Sequence, residues 1–498
     1  LKTDQYPKML FLIKLSPEIT IKSRVVRRRF TRQLRKNLHR VLSELDDQIL
    51  VHRQWDVIEV EREGSGGTKL MQIEERLRNI PGVAQINCAE KHPLPSMSDM
   101  LELTKAVYCE VLKGKTFAVR CKRSGDHSFS SVDIERFVGG GLNEKCSTGG
   151  VKLKHPEVTV NLEIRDEFFY IVKTKIQGLG GLPLGCQDSV LSLISGGFDS
   201  SVSSYLCIKR GLQTHYCFFN FGGSTHEFAV KEVALFLWMK FHSSHRVKFI
   251  TVPFEGVVEE ILNKTDGSQM GVILKRMMYR AADLVAAKLG LYSLVTGESV
   301  AQVSSQTLAN LSVIDDVSQS LILRPLCASD KQEIINIARE IGTEQFSQSI
   351  PEYCAVISKK PTTKARKDRI EKKESRLDQS ILIKAVGAAK FQVITEVMND
   401  LYPTESEVEI VESVQEGSIV IDIRHPSEQE ISPLLLDEKI KSINIPFYSL
   451  SSQFNELTPD KNYLLYCERG MMSRLHAIHL MEQGFENVSV LELKTPQN

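Results

Sequence analysis

The stretch Val190–Gly211, "VLSLISGGFDSSVSSYLCIKRG", decides how the chain is to be read. Val190–Ile194 is a short apolar run that ends at a turn signal, the pattern of a buried strand. "SGGFDSS" follows, and a helix begins. A strand that passes through two glycines into a helix points to a nest for phosphate. Gly196 and Gly197 let the backbone turn tightly and aim N–H groups inward. Ser195, Ser200 and Ser201 add hydroxyl donors, and the helix N-terminus adds partial positive charge. Asp199 stands among these donors, where it can hold a metal ion or steady the loop. The loop is not a Walker A motif, because no lysine follows its glycines, and it lacks the G-x-G-x-x-G of a dinucleotide fold.

Around this loop, "SVLSLI", "THYCFFNF", "RVKFITVPF" and "LYSLVTGE" alternate with amphipathic segments such as "EFAVKEVALFLWMKF". That alternation predicts βαβ units and a doubly wound parallel sheet over 185–400. Ligands of such sheets sit beyond the C-terminal strand ends. "NFGGSTHE" (Asn220–Glu227) and "VTGES" (Val295–Ser299) lie at such ends. Lys275, in "GVILKRMMYR", suits a phosphate. Gln306, in "QVSSQTLANL", suits a nucleotide edge. "LRPLCASDKQEI" places Asp330 and Lys331 on a loop before a helix.

Upstream, "MLFLIKL" (Met9–Leu15) predicts a strand and "SPEITIKS" a turn. Val26, Phe30, Leu34, Leu38 and Leu42 recur every fourth residue, as on an amphipathic helix. The segment Lys22–Arg40 carries nine Lys/Arg, among them Arg28 and Arg32, and no acid. Charge of one sign points to a polyanion such as nucleic acid. "QWDVIEVE" (Gln54–Glu61) predicts a second strand, which gives a small α+β unit over 9–70. A second α/β piece covers 71–175. Its strand "KTFAVRCKRSGDHSFSS" (Lys115–Ser131) presents Lys122 and Arg123, and "VTVNLEIRDEFFYIVKTKI" (Val158–Ile176) predicts a hairpin that turns at "RDE". "LKTDQYPK", before Met9, is set aside as an extension.

The C-terminal part, 414–498, predicts a shorter α/β unit behind the acidic edge strand or linker Thr404–Ser418. In "NYLLYCERGMMSR" (Asn462–Arg474) a strand delivers Cys467 to a loop and a helix. Loop amides and a helix N-terminus aimed at sulfur lower a thiol pKa and make it a nucleophile. A cysteine at a strand end is also a small apolar packing residue, and the spacing alone leaves both readings open. A tyrosine-phosphatase loop would need Arg six positions after its Cys. Ser473 stands there, and Arg474 comes one later.

The chain has 498 residues, 42% hydrophobic and 25% charged, with a formal net charge of +1. This is globular composition with room for several domains. Its ten cysteines are scattered and form no CxxC pair. They predict a reducing compartment, the cytoplasm, and argue against a disulfide scaffold or a zinc ribbon. No resident metal site, signal peptide or transmembrane span is expected.

Taken in order, SGGFDS, "SQMGVILKRMMYRAA", "TGESVAQVSSQTL", "PEYC" and "CERGMMSR" resemble the ThiI-type tRNA sulfurtransferases (tRNA 4-thiouridine synthetases) from Met9 almost to the end. "LIKLSPEITIKS", "RFVGGGLN" and "SSHRVKF" belong to the same likeness. It implies a multidomain α+β and α/β protein: an N-terminal ferredoxin-like domain, an RNA-binding THUMP domain, a PP-loop ATP pyrophosphatase domain and a rhodanese-like domain. It implies ATP with Mg²⁺, contacted at Leu193, Ile194, Lys275, Gly297 and Gln306, with Asp199 and Lys331 needed for activation. It implies a persulfide carried on Cys467, and Cys354, in "SIPEYCAVISKKPT", as its disulfide partner during turnover. The implied partners are tRNA, a PLP-dependent cysteine desulfurase and the sulfur-carrier protein of thiazole synthesis. The remaining eight cysteines are expected to be structural, with Cys207, Cys217 and Cys327 in apolar strand or helix patterns. Glu468 replaces an arginine common in rhodaneses, which favours a protein persulfide over thiosulfate as donor. Two rival readings are a different PP-loop synthetase, for which no glutaminase triad is evident, and a noncatalytic RNA-binding sulfur-relay protein.

Overall fold

The computed structural model describes residues 9–54, 57–62, 67–221, 224–265, 267–349, 361–397, 408–415, 417–424, 426–437, 439–467 and 471–493. The chain divides into two compact units, Leu1–Cys186 and Gln187–Asn498.

Seven strands build the first unit: β1 (Met9–Leu15), β2 (Leu50–Gln54), β3 (Val57–Arg62), β4 (Val83–Pro93), β5 (Phe117–Ser124), β6 (Val158–Arg165) and β7 (Phe168–Gln177). They form one sheet, ordered β2-β3-β1-β4-β7-β6-β5. The sequence predicted two separate pieces here. One sheet runs through both, because β4 is long enough to pair antiparallel with β1 on one side and β7 on the other. The helix Arg24–Ser43 forms as its period predicts: Phe30, Leu34, Leu38 and Leu42 are buried. Each such side chain contributes roughly 1.5–3 kcal/mol when fully buried. The hairpin β6–β7 also forms as expected. The edge strand β2 escaped the sequence reading, since Leu50 faces solvent and its last three residues, His52, Arg53 and Gln54, are polar. "SPEITIKS", expected as a turn, opens with one helical turn, Pro17–Thr20.

One cysteine expectation needs correction. Cys109 and Cys146 are disulfide-bonded, with Cα atoms 5.5 Å apart. Cys109 lies on the helix Met97–Leu112 and Cys146 caps the helix Ser131–Lys145. Packing of these helices over one core brings together two thiols that are 37 residues apart in sequence. Among the described residues this is the one cross-link, and the core around it is apolar.

The second unit holds two sheets. The larger contains β8 (Ser189–Leu193), β9 (Gln213–Asn220), β10 (Lys248–Pro253), β11 (Ser293–Val295), β12 (Leu321–Leu323) and β13 (Lys390–Val393) in the order β12-β11-β8-β9-β10-β13. Every neighbouring pair is parallel except β10–β13. The strand order reverses at β8, so a crevice opens at its C-terminal end, where ligands of doubly wound sheets bind. The smaller sheet holds β14 (Ile410–Val411), β15 (Ile419–Asp422), β16 (Lys441–Asn444), β17 (Tyr463–Tyr466) and β18 (Val488–Leu491). Its order is β14-β18-β17-β15-β16, all parallel, with the expected acidic edge strand as β14. Among the described residues no helix is long and apolar enough to cross a membrane.

Candidate active site

Strand β8 ends at Leu193, and the helix Phe198–Lys209 starts four residues after Ile194. Gly196 takes φ +82°, a left-handed conformation natural only to glycine. Ser200 Oγ accepts from Ser195 N at 3.1 Å and donates to the Gly197 carbonyl at 3.1 Å. Ser201 Oγ donates to the same carbonyl at 2.9 Å and is fully buried. The sequence suggested these hydroxyls as phosphate donors. The Ser201 hydroxyl is consumed inside the loop and holds its shape. The Ile194 N–H donates to the Cys217 carbonyl at 2.9 Å, which carries the pairing with β9 one residue past Leu193.

Asp199 sits on the first turn of that helix. Lys331 Nζ donates to its Oδ1 at 2.9 Å and Gln302 Nε2 to its Oδ2 at 2.8 Å. Lys331 is the first residue of the helix Lys331–Ile341, with Asp330 as its N-cap, so it stands on the helix and not on the loop before it. Gly297 explains itself by contact. A Cβ there would meet Asp199 C at 2.5 Å and Ser200 N at 2.7 Å. Only glycine lets the loop after β11 lie against the phosphate loop.

Behind this layer, Glu298 collects four donors. Lys275 Nζ reaches its Oε1 at 2.7 Å. Arg324 Nε, Tyr279 OH and Thr296 Oγ1 reach its Oε2 at 2.8, 2.8 and 3.1 Å. Burial alone would raise the carboxyl; the Lys275 and Arg324 charges outweigh it and bring Glu298 down to about 2. His226 Nε2 lies 3.3 Å from the Ser195 carbonyl and packs edge-on against Phe218. Burial pushes its imidazole below the ordinary range.

These groups surround a cavity of about 540 Å³. Leu193, Ile194, Ser195, Gly197, Asp199 and Ser200 line it on the strand side, and Lys275, Gly297 and Gln306 on the other. Gln306 is buried, and its Oε1 has no hydrogen-bond partner among the described residues. All the residues predicted from the sequence to contact nucleotide therefore meet in one crevice except Gly196, which shapes the loop without lining it. His226, Glu298 and Gln302 share it and carried no assignment, although each lies in or beside a quoted motif.

The thiol is built separately. Cys467 follows β17 and is 8% exposed. Ser473 N donates to its Sγ at 3.2 Å, and Ser473 Oγ lies at 3.2 Å. Ser473 belongs to the first turn of the helix Met471–Glu482, so both the dipole and two hydrogen-bonding groups favour negative charge on sulfur. Arg474 pairs with Glu492 at 2.6 Å and is turned to other work. The neighbouring strand β15 ends in a buried Asp422–Arg424 pair at 2.6 Å, with the guanidinium over the Tyr466 ring. Cys354 falls at a position outside the described residues. Cys207 and Cys217 are buried as expected. Cys327 is exposed in a turn after β12, which corrects its reading as an apolar packing residue.

Proteins of known kind match this sequence over almost its whole length. A tRNA sulfurtransferase of Shewanella piezotolerans is 52% identical over 482 residues, 97% of this chain and 99% of the relative. The chain belongs to the tRNA sulfurtransferase family. A tRNA sulfurtransferase of Saccharophagus degradans is 51% identical over the same share. Family models match along the sequence: the ThiI ferredoxin-like domain at 10–87, the THUMP domain at 95–172, the thiamine biosynthesis protein ThiI at 185–379 and the rhodanese-like domain at 407–493. A crystal structure described as a 4-thiouridine synthetase–RNA complex with bound ATP covers 77% of this chain and 99% of its own, at TM-score 0.69 and 24% identity, a shared fold.

In this member of the family the residues expected to contact RNA are all exposed. Arg28 and Arg32 stand on the basic helix. Lys122 and Arg123 stand on the edge strand β5. Arg123 Nη1 donates to the Gly125 carbonyl at 3.1 Å and is thereby held on the loop. Burial, and then the charge of Lys122, lower Lys175.

Proposed function

We propose that this chain transfers persulfide sulfur to uridine 8 of tRNA in an ATP-dependent reaction and so forms 4-thiouridine. The observation that carries this reading is the single crevice in which the phosphate loop, Lys275 and Asp199 face the same cavity. ATP binds there, with its phosphates on the loop amides and Lys275, and its base toward the Ile194 carbonyl and Gln306. Asp199 is the carboxylate that fits Mg²⁺ held mainly by the phosphates, since no cluster of three ligating side chains occurs among the described residues. The ion would neutralise charge on the leaving pyrophosphate. Lys331 and Gln302 hold Asp199 in place for that work.

The uridine O4 attacks the α-phosphate, pyrophosphate leaves, and C4 gains a good leaving group. The basic helix and β5 bring tRNA through its phosphates. A PLP-dependent cysteine desulfurase supplies sulfur to the Cys467 thiolate as a persulfide. Either the terminal sulfur attacks C4 directly, or Cys354 first releases it as sulfide. In both routes AMP departs with O4, sulfur is bonded to C4, and a Cys354–Cys467 disulfide forms. A dithiol then reduces that bond. The same loaded Cys467 would pass sulfur to the carrier protein of thiazole synthesis, in keeping with the description of the family model.

The test is tRNA-dependent formation of AMP from ATP, followed with labelled ATP and no sulfur donor. AMP that appears only with tRNA bearing uridine 8 fits the proposal. Hydrolysis to ADP, or no nucleotide binding, sinks the adenylation step.

A further inference from the structure

The helix Ser224–Leu237 carries Glu232, which takes no part in the crevice described above. Its Oε1 lies 3.2 Å from Nε2 of His476, on the helix Met471–Glu482 of the rhodanese-like domain. Both side chains are nearly buried, at 12% and 6% exposure. Around this pair four rings meet. Phe346 packs tilted against Phe447 with centroids 4.6 Å apart, Phe236 lies 5.2 Å from Phe346 and 6.0 Å from Phe447, and Phe447 lies 6.0 Å from His476. Phe236 and Phe346 belong to the nucleotide-binding domain. Phe447 and His476 belong to the rhodanese-like domain.

Each side of this seam leads straight to chemistry. Phe346 precedes Ser347, whose Oγ donates to the Gly196 carbonyl of the phosphate loop at 3.0 Å. On the opposite side, Phe447 N donates to the Ile423 carbonyl at 2.7 Å, and Ile423 N to the Tyr466 carbonyl at 3.0 Å. Tyr466 is bonded to Cys467. A short, continuous set of contacts thus joins the phosphate loop to the sulfur-bearing strand.

We propose that Phe236, Phe346 and Glu232 form a docking surface on the nucleotide-binding domain, on which Phe447 and His476 seat the rhodanese-like domain for sulfur delivery. The proposal rests on the sulfur-relay reading above. The seam has the chemistry of a reversible contact. Among the described residues the seam consists of packed rings and a polar pair, a mixed contact of the kind that lets domains of one chain move. Burial pushes the Glu232 carboxyl up to about 8, and the His476 ring nitrogen 3.2 Å away is the polar group that faces it across the seam. When the domains part, water solvates both groups. Reversibility suits a domain that must also meet a second protein to be loaded.

The test uses the full chain with three separate readouts: tRNA-dependent AMP formation, persulfide on Cys467 by mass after incubation with a cysteine desulfurase and cysteine, and 4-thiouridine in tRNA. Phe447→Ala and His476→Gln should keep the first two and lose thiolation by about tenfold or more, because misplaced reactants lose rate steeply. Phe346→Ala should do the same, and the double variant Phe346→Ala/Phe447→Ala should be no worse than the worse single one, as for residues in contact. Persulfide loading and AMP formation report that each domain has folded. Unchanged thiolation in Phe447→Ala and His476→Gln would overturn the docking surface, as would losses that simply multiply in the double variant. If unmutated Cys467 takes no persulfide, the relay reading itself falls, and the delivery role of the surface with it.

Discussion

Lys331 Nζ lies 2.9 Å from Asp199 Oδ1, so the start of one helix is tied to the first turn of another that is 132 residues away in sequence. The bond fixes a carboxylate at the mouth of the phosphate loop and leaves the lysine beside it. In the proposed reaction such a pair would orient charge before the nucleotide arrives. Asp199→Asn or Lys331→Ala should each reduce tRNA-dependent AMP formation by roughly 10²–10³-fold, the cost of losing one preorganised electrostatic group. Binding of tRNA, measured by gel shift, should stay unchanged. Equal loss of both would point to misfolding and contradict the assigned role.

Gly297 predicts a sharper steric result. A methyl group there must displace the backbone of Asp199 and Ser200. Gly297→Ala should cost about 1–3 kcal/mol of stability by overpacking. It should also weaken ATP binding more than any comparable substitution on the outer helices. Calorimetric titration with ATP and a thermal melt together check this. Normal affinity in the variant would show that the two loops need not touch.

The Glu298 hub makes a prediction about pH. Its carboxyl is held at about 2, below its ordinary value of 4.5. A depressed folded-state value means stability that is present above pH 4.5 and is lost as pH falls toward 2. The contribution is on the order of 3 kcal/mol at neutral pH. Denaturant unfolding of the native chain should therefore weaken over this interval more steeply than unfolding of Glu298→Gln. Parallel pH profiles would contradict the hub.

For RNA, the exposed arginines of the basic helix give a salt signature. Arg28→Ala and Arg32→Ala should each weaken tRNA binding and lower the slope of log affinity against log salt by about 1. Filter binding across a salt series reads both effects. A loss of affinity without a change in slope would mean that these side chains do not meet phosphate.

The phosphate loop could be read in the sequence because its work is local: a strand, two glycines and a helix start suffice. The Arg24–Ser43 helix was readable for the same reason, since one period of apolar residues defines its buried face. Gln302, Glu298 and His226 were not readable as site residues. Their roles depend on where β11, the loop after it and the helix Ser224–Leu237 come to rest beside β8. Nor could spacing reveal that β4 joins two predicted domains into one sheet, or that Cys109 and Cys146 meet. Both are consequences of packing between distant segments. Cys467 lies between these cases. The strand–Cys–loop–helix order was visible, while the Ser473 N–H on sulfur needed the fold.

The central claim is that sulfur passes through Cys467 to an activated uridine. The most direct measurement is tRNA thiolation by Cys467→Ala with a cysteine desulfurase, cysteine and ATP, with AMP followed in the same reaction. The expected result is AMP formation at the unmutated rate with no 4-thiouridine in the tRNA. Full thiolation by this variant would contradict the account.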